Sequence, residues 1–386
     1  MTILGVREAR PLRVLYFAGT HGDWGGAGRV MFTTLSLLDR SRIEPIVALP
    51  MEGPAQALLD DLGIEYVLWG GMGEYRSAVQ YMSAIVRTLL WLRRRGIDVV
   101  HVNKANDWRP AEHLAARVAR VPIVTHFHTV NHDRAPATRM SSAIAAVSKF
   151  VAEHSDTQDV PVRVIYNSVN VARFGHGRSI RGELGIAEDA LVVTFAGQMR
   201  RIKGLDLFVN AARKVSIPKV RFLVAGAFPQ GRGIDDAYTE STFRELCAGD
   251  DRIIYAGYRE DMPNVYHSSD IVVVPSRWEE PFGLILIEAG IGAKPVIATC
   301  VGGIPEVVRD GETGVLVKPD DEQALVSAIQ QLASDAALRM KMGMAARTHV
   351  IERFVEQPVR ELEDLYVSLC ACRSDEVRST ERRRHA

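Results

Sequence analysis

The chain has 386 residues, with 47 Lys and Arg against 47 Asp and Glu, so its formal net charge is zero. A chain of this length exceeds what one hydrophobic core usually serves, and it predicts two domains of roughly two hundred residues each. Zero net charge provides no global field that would recruit nucleic acid. We therefore expect no nucleic-acid partner, and an anionic ligand must be bound by a local site.

The cysteines and the apolar runs indicate the compartment. Four cysteines are too few for a disulfide framework, and we interpret them as reduced thiols. The first residues mix charges with short apolar stretches, and no later run is long enough to span a bilayer. We therefore expect a cytoplasmic protein that is neither secreted nor membrane-spanning.

Short β-forming apolar runs alternate with longer helical patterns, which is typical of βαβ units and parallel sheets. In the first half, the predicted strands are 13–18, 44–48, 99–102 and 123–127, and the predicted helices are 27–38, 55–62 and 79–95. In the second half, the predicted strands are 191–196, 221–225, 253–255, 271–274, 295–298 and 314–317. The pattern predicts an α/β fold of two Rossmann-like domains, whose parallel sheets face a central cleft.

The domain boundaries follow from composition. The polar stretch 173–182 is interpreted as the linker between the two domains. An amphipathic pattern at 358–370 predicts a helix near the carboxyl terminus. The expected division is an amino-terminal domain over 1–172, a carboxyl-terminal domain over 173–355, a helix over 356–373 and a polar, disordered tail over 374–386.

The run Glu280-Pro-Phe-Gly-Leu-Ile-Leu-Ile-Glu288 carries the strongest chemical signal. It leaves a predicted strand, turns at Pro and Gly, and enters a very apolar helix whose first amides suit a pyrophosphate. Glu288 lies among apolar neighbours, where a carboxylate is costly unless hydrogen bonds compensate it, and a ribose diol would supply two donors. Glu280 alone fits a capping or surface residue equally well, but the pair of glutamates favours a binding site.

With these motifs, the chain resembles the family 4, or group 1, retaining glycosyltransferases, which have the two-domain GT-B fold. Two glutamates separated by seven residues are the hallmark of that family. Matching segments continue around them at 270–276 (DIVVVPS), 294–299 (KPVIAT), 302–306 (GGIPE) and 310–317 (DGETGVLV).

The resemblance implies a role for each residue of the motif. Glu280 would approach the donor sugar, and Glu288 would hold the ribose. The residues expected to offer backbone groups to the sugar and phosphates are Phe282, Gly283 and Leu284. The resemblance further implies a donor-binding carboxyl-terminal domain, an acceptor-side amino-terminal domain and a final helix that packs back toward the latter. The nucleoside-diphosphate sugar is then a substrate, and no cofactor or metal is expected.

A second phosphate element is predicted at 197–204 (GQMRRIKG). A metal-free transferase must neutralise its departing diphosphate with side chains, and Lys203 occupies the matching family position. The family usually has Arg directly after the first glycine, whereas Gln198 here cannot form a charged fork on phosphate. Arg200 or Arg201 would be the substitute, and Arg200 is counted among the donor-binding residues. Adjacent arginines in a turn are otherwise simply solvated.

The amino-terminal half carries Gly25-Gly-Ala-Gly28 between a strand and a helix. A tight structural turn explains this run equally well, and Met31 stands where the dinucleotide fingerprint needs its third glycine. The resemblance implies that Gly25 and Gly26 approach the donor phosphates.

His126 and His128 lie two residues apart at a strand end, a spacing that would also suit a metal cluster. No His-Glu-x-x-His motif, cysteine pair or convincing set of carboxylates accompanies them in the sequence. The segment 125–129 (THFHT) resembles the family segment whose second histidine enters the cleft. This implies that His128 contacts the donor sugar and acts with Glu280 and Lys203 in catalysis, and that His126 is structural.

Two basic clusters bear on partners, at 91–95 (WLRRR) and 382–384 (RRR). Such clusters beside aromatic residues hold proteins on anionic lipid, although they also complement helix dipoles or are solvated. The expected acceptor is a glycan, a lipid-linked molecule or a small molecule, and a lipid-linked one would imply peripheral contact with the inner face of the membrane. The alternatives are a nucleotide-sugar epimerase of similar fold and a catalytically degenerate nucleotide-sugar-binding scaffold.

Overall fold

The structure is a computed structural model that describes residues 10–20, 25–70, 75–104, 108–229 and 235–384, with side chains described up to residue 372. The chain divides into two compact units. The first holds Met1–Ser168 with Gln357–Ala386, and the second holds Val169–Glu356. Within the described ranges, no helix is both long and apolar enough to cross a membrane.

The described part of the first unit is built on seven parallel strands in the order β3-β2-β1-β4-β5-β6-β7. The strands are β1 (Leu12–Phe17), β2 (Ile43–Leu49), β3 (Glu65–Leu68), β4 (Val99–Val102), β5 (Ile123–Phe127), β6 (Ala143–Ala146) and β7 (Val162–Val164). The helices are α1 (Gly26–Leu37), α2 (Ala55–Asp61), α3 (Ala78–Arg95), α4 (Pro110–Ala119), α5 (Pro136–Met140), α6 (Lys149–His154) and, from the end of the chain, α15 (Gln357–Arg384).

The core of the first unit lies on both faces of this sheet. Successive residues of a strand point to opposite faces, so alternate residues of β1 enter different hydrophobic clusters. Val14 and Tyr16 belong to one cluster, and Leu15 and Phe17 belong to the other. Helix α15 joins the first cluster through Tyr366, which is fully buried. The carboxyl-terminal helix is therefore part of the first unit's core.

The second unit has six parallel strands among its described residues, in the order β10-β9-β8-β11-β12-β13. The strands are β8 (Leu191–Ala196), β9 (Val220–Ala225), β10 (Ile253–Gly257), β11 (Ile271–Val274), β12 (Val296–Thr299) and β13 (Gly314–Val317). The helices are α7 (Val171–Phe174), α8 (Leu205–Lys214), α9 (Glu240–Cys247), α10 (Met262–Ser268), α11 (Leu284–Ile291), α12 (Ile304–Val307), α13 (Glu322–Ser334) and α14 (Ala336–Phe354), with a 3-10 turn at Arg201–Lys203 before α8.

The α/β class with two parallel sheets is confirmed. Five predicted strands, at 99–102, 123–127, 191–196, 271–274 and 314–317, have the bounds that the structure shows. The sequence did not predict β3, β6 and β7. The short β6 is mostly alanine and β7 has three residues, so neither carries the β-branched or aromatic enrichment that marks a strand.

The linker interpretation of 173–182 is wrong. The contact division between the units falls at Ser168 and Val169, ahead of this stretch. Ile180 is buried in a hydrophobic cluster of the second unit, and Arg181 donates to Asp270 at 2.9 Å. The stretch is polar because several of its groups are hydrogen-bonded to the second unit, not because it is exposed chain.

The expectation of a disordered tail from 374 is also wrong up to Arg384, because α15 continues to that residue. The sequence after Pro358 contains no proline or glycine that would end the helix. It is also rich in glutamate and arginine, which are good helix formers. Residues 385 and 386 lie outside the described part.

Candidate active site

Lys203 and Glu280 form an ion pair in the second unit. Nζ of Lys203 lies 2.5 Å from Oε1 of Glu280, and the two side chains are 19% and 12% exposed. The hydroxyl of Ser276 donates to the same carboxylate oxygen at 3.0 Å. The ring of Trp278 lies 4.6 Å from the Lys203 ammonium. The structure thus joins the predicted phosphate cation directly to the predicted sugar-side carboxylate, and their charges compensate each other.

Loops from three neighbouring strands, β8, β11 and β12, position this pair. Gly204 ends the turn of Lys203 with a φ of +73°, and a Cβ there would lie 1.9 Å from the carbonyl oxygen of Pro275. A Cβ at Gly302, where φ is +56°, would lie 2.3 Å from the carbonyl oxygen of Glu280. Only glycine allows these approaches. The backbone that carries Lys203 and Glu280 is therefore fixed by close packing between loops.

Helix α11 begins directly after this pair. Its N-cap residue, Gly283, has a φ of +90°, and no side chain among the described residues caps the helix. The half-buried Leu284 is the first helical residue. The ring of Phe282 is buried against Phe354, with 5.5 Å between centroids, so Phe282 has only its backbone to offer a ligand. The uncapped amides and the helix dipole suit an anion, as the sequence predicted.

Glu288 lies in the second turn of α11 and is half-buried. Its Oε2 accepts a hydrogen bond from the phenol of Tyr266 on α10 at 2.7 Å. The apolar neighbours expected from the sequence, Leu286, Ile287 and Ala289, are buried. Tyr266 therefore compensates part of the cost of the Glu288 carboxylate. The sequence predicted a ribose as the source of this compensation and gave no sign of Tyr266.

The two arginines offered as substitutes for Gln198 differ in their surroundings. Arg200 makes a forked contact with Asp236, at 3.0 Å from Nε and 2.7 Å from Nη2 to Oδ1, and this bond lowers the pKa of Asp236. Arg201 is exposed, and its guanidinium lies 5.1 Å from the ring centroid of Tyr238. Arg200 thus holds its own loop in shape, whereas Arg201 is the arginine with a solvent-facing side chain.

In the first unit, Asn103 fixes the hydrogen bonding of the half-buried His128. The buried Asn103 donates from Nδ2 to the carbonyl of Ala27 at 3.1 Å. Because a carbonyl only accepts, this bond sets the orientation of the amide. The Asn103 Oδ1 must then accept from Nε2–H of His128, 3.1 Å away. Neutral His128 consequently carries its lone pair on Nδ1, where it can accept a hydrogen bond from a ligand.

The rings of His101, His126 and His128 contact one another in a row, with His126 stacked on His128 and edge-on to His101. The centroids of His126 and His128 are 4.2 Å apart, and those of His101 and His126 are 5.4 Å apart. Burial lowers the pKa of His126 to about 4. Burial, with the neighbouring histidines, also holds the pKa of His101 and of His128 well below the usual value. The hydroxyl of Tyr366 on α15 lies 2.8 Å from Nδ1 of His101. All three histidines are neutral near pH 7.

Gly25 caps α1, whose first residue is Gly26. Gly25 is exposed, its φ is −66°, and a Cβ there would meet no described atom within 4 Å. The described surroundings therefore do not require glycine at this position. The tight-turn explanation loses support, and close approach by a ligand remains as a reason for the residue. Among the described residues, no group of three or more His, Cys, Asp or Glu side chains is arranged to hold a metal ion.

Four supporting residues were not predicted as partners: Asn103, Asp236, Tyr266 and Ser276. Asn103 and Ser276 follow the carboxyl ends of β4 and β11, which is where ligand-side residues of parallel sheets lie, so topology offered a signal for both. Asp236 and Tyr266 are distant in sequence from the residues they bind. No spacing rule connects them.

Solved structures identify the fold as that of GT-B glycosyltransferases. A glycosyltransferase of Rickettsia africae superposes with a TM-score of 0.80 at 21% identity, covering 94% of this chain and 99% of that one. HepE of Anabaena, in complex with UDP-glucose, superposes with a TM-score of 0.73 at 20% identity, covering 92% and 99%.

Two family models match adjoining parts of the chain. "Glycosyltransferase Family 4" matches residues 24–173, and "Glycosyl transferases group 1" matches residues 178–349. The chain belongs to this group 1, family 4 class of glycosyltransferases.

Curated relatives carry the name D-inositol 3-phosphate glycosyltransferase. The one from Corynebacterium kroppenstedtii is 33% identical over 55% of this chain and 49% of its own length. The one from Corynebacterium efficiens is 26% identical over 89% of this chain and 91% of its own length. The alignment with the first of these relatives thus spans about half of that protein's length.

Proposed function

We propose that this glycosyltransferase takes a sugar from a nucleoside-diphosphate donor and transfers it, without a metal ion, to a carbohydrate or lipid-linked acceptor with retention of anomeric configuration. The observation that carries the proposal is the Lys203–Glu280 pair at the uncapped start of α11. A cation, a carboxylate and helix-start amides without a side-chain cap lie together beyond the carboxyl ends of parallel strands, where α/β proteins bind ligands.

The charges of this site suit departure of a diphosphate. Breaking the glycosidic bond builds negative charge on the leaving phosphate, and fixed positive groups that meet it lower the barrier. A bound pyrophosphate competes with Glu280 for the Lys203 ammonium. The carboxylate that Lys203 releases is then free to accept hydrogen bonds from sugar hydroxyls. Arg201 is the available additional cation on the same loop.

Retention is favoured by the poor basicity of His128. An inverting transfer needs a side-chain base beside the incoming hydroxyl, with a pKa near the working pH. The pKa of His128 is held well below its usual value, so its imidazole is a weak base for an alcohol. If the leaving diphosphate accepts the acceptor's proton instead, nucleophile and leaving group meet on one face of the sugar, and the configuration is kept.

The names of related proteins indicate which donors and acceptors should be tested first. HepE has been crystallised with UDP-glucose, so UDP-glucose leads the donor panel. The curated relatives act on D-inositol 3-phosphate by name, so phosphorylated cyclitols join sugars and lipid-linked acceptors in the acceptor panel.

The test is to incubate the protein with UDP-, GDP- and ADP-sugars, with and without EDTA, and to quantify free diphosphate and sugar products by chromatography. We expect diphosphate release that persists in chelator and that Lys203→Ala slows about a hundredfold. Complete, metal-reversible loss in EDTA would reject metal independence. An epimerised sugar nucleotide would identify an epimerase instead, and binding without any turnover would identify a scaffold.

A further inference from the structure

Helix α3 presents an apolar face to solvent. Val79, Met82, Val86 and Leu90 recur at helical spacing along it and are between 44% and 78% exposed. The opposite side of the helix packs into the core of the first unit, through residues such as Leu92. An ordinary surface helix has one apolar face, whereas α3 has two. The outward one is here named the α3 face.

The charged side chains of α3 itself all have the same sign. The helix contains no Asp or Glu, and its charged residues are Arg87, Arg93, Arg94 and Arg95. Arg95 is paired with Glu65. In the part of the chain that the structure describes, Arg87, Arg93 and Arg94 are exposed and form no ion pair with a carboxylate. Three uncompensated cations therefore accompany the exposed apolar stripe.

The Glu112 carboxylate on the neighbouring helix α4 is buried and hydrogen-bonded, so it does not neutralise these arginines. Glu112 of α4, the helix packed beside α3, is buried, and its Oε1 accepts from the indole N–H of Trp69 at 3.0 Å. The exposed apolar side chains of α4 are Leu114 and Val118, and Arg117 and Arg120 are exposed with them. Both helices thus show solvent the same combination of aliphatic side chains and arginine.

This combination selects among the possible occupants. A second copy bound face to face would bring like-charged arginines together, which is destabilising. A bilayer with anionic lipids accepts aliphatic side chains into its interface and attracts the arginines that flank them. We propose that the α3 face is a docking surface for an anionic lipid membrane. The proposal stands apart from the transfer chemistry, because the residues assigned to that chemistry lie outside α3 and α4.

The experiment is flotation of the full chain with vesicles of phosphatidylcholine and phosphatidylglycerol, against vesicles of phosphatidylcholine alone. The wild type should float with the anionic vesicles at low salt and dissociate as salt rises. Met82→Asp should lower the partition coefficient at least tenfold, because it places a carboxylate in the interface. Met344→Asp is the matched control, because Met344 is a helical methionine of the second unit with 54% exposure against 55% for Met82.

The arginines are tested separately. The double variant Arg87→Gln, Arg94→Gln should weaken binding to anionic vesicles roughly 30-fold, since each cation near such a surface contributes about fivefold. Val79→Asp, at the most exposed position of the face, should repeat the Met82→Asp result if that variant proves unstable. Unchanged thermal unfolding and donor hydrolysis verify that each variant is folded.

Several results would overturn the proposal. Wild-type protein that stays unbound to anionic vesicles at low salt would exclude a membrane occupant. Equal losses for Met82→Asp and Met344→Asp would show that the face is not specific. A concentration-dependent dimer broken by Met82→Asp would assign the face to a second copy, and binding to polyglutamate without vesicle binding would assign it to an acidic protein.

Discussion

Replacing Lys203 by alanine should lower turnover far more than it lowers stability. In the proposed mechanism the Lys203 ammonium meets the leaving diphosphate, and loss of one such electrostatic group costs about 3 kcal/mol of transition-state stabilisation, or a rate about a hundredfold slower. The variant also leaves the Glu280 carboxylate, which is 12% exposed, without its ammonium partner. Breaking a fully buried pair costs about 3–5 kcal/mol, and partial exposure reduces this to about 1–3 kcal/mol here.

The double variant Lys203→Ala, Glu280→Ala separates the two effects. Removing the orphaned carboxylate should restore much of the lost unfolding free energy, measured by urea denaturation. It should not restore turnover, measured as diphosphate release in a single-turnover assay with saturating donor. A Lys203→Ala enzyme with a near-normal rate would refute this reasoning and move the role of phosphate cation to Arg201 or Arg200.

Three further outcomes are expected. Glu288→Ala should weaken nucleoside-diphosphate binding about tenfold or more, as measured by calorimetry. Tyr266→Phe keeps the carboxylate and should leave this affinity unchanged. Unchanged affinity in folded Glu288→Ala would remove the ribose assignment. Glu280→Ala should slow turnover without weakening diphosphate binding, because Lys203 then has no carboxylate partner and can bind the phosphates. A loss of calorimetric diphosphate affinity as large as the loss of turnover would contradict this. Asn103→Asp should shift the acidic limb of the pH–rate profile to higher pH. The introduced carboxylate raises the pKa of His128, so the neutral form of His128 is lost at a higher pH. An unshifted acidic limb would argue against a role for neutral His128.

The sequence predicted the fold class because the alternation of short apolar runs with helical patterns can be read from residues that are close together in the chain. Strands β4, β5, β8, β11 and β13 are mostly apolar and rich in β-branched residues, as buried parallel strands should be, and their predicted bounds agree with the structure. Strand β6 is too rich in alanine to be told from a helix. The stretch 173–182 was misjudged because polar residues that bond to their own unit look like exposed chain.

The sequence predicted individual residues of the candidate site but not the contacts between them. Motif spacing located Lys203, Glu280 and Glu288. It did not show that Lys203 and Glu280 bind each other, that Glu288 has Tyr266 as a partner, or that Arg200 is held by Asp236. These contacts join residues far apart in sequence, and they depend on how loops approach at Gly204 and Gly302, which only the folded backbone reveals.

The measurement that tests the central claim most directly is proton NMR of the first glycoside formed from an α-linked sugar nucleotide, with EDTA present throughout. The anomeric coupling is read before any mutarotation or further transfer. The account predicts an α-configured product formed without metal. A β-configured product would contradict the retaining mechanism and would require a side-chain base that the neutral, weakly basic His128 does not supply.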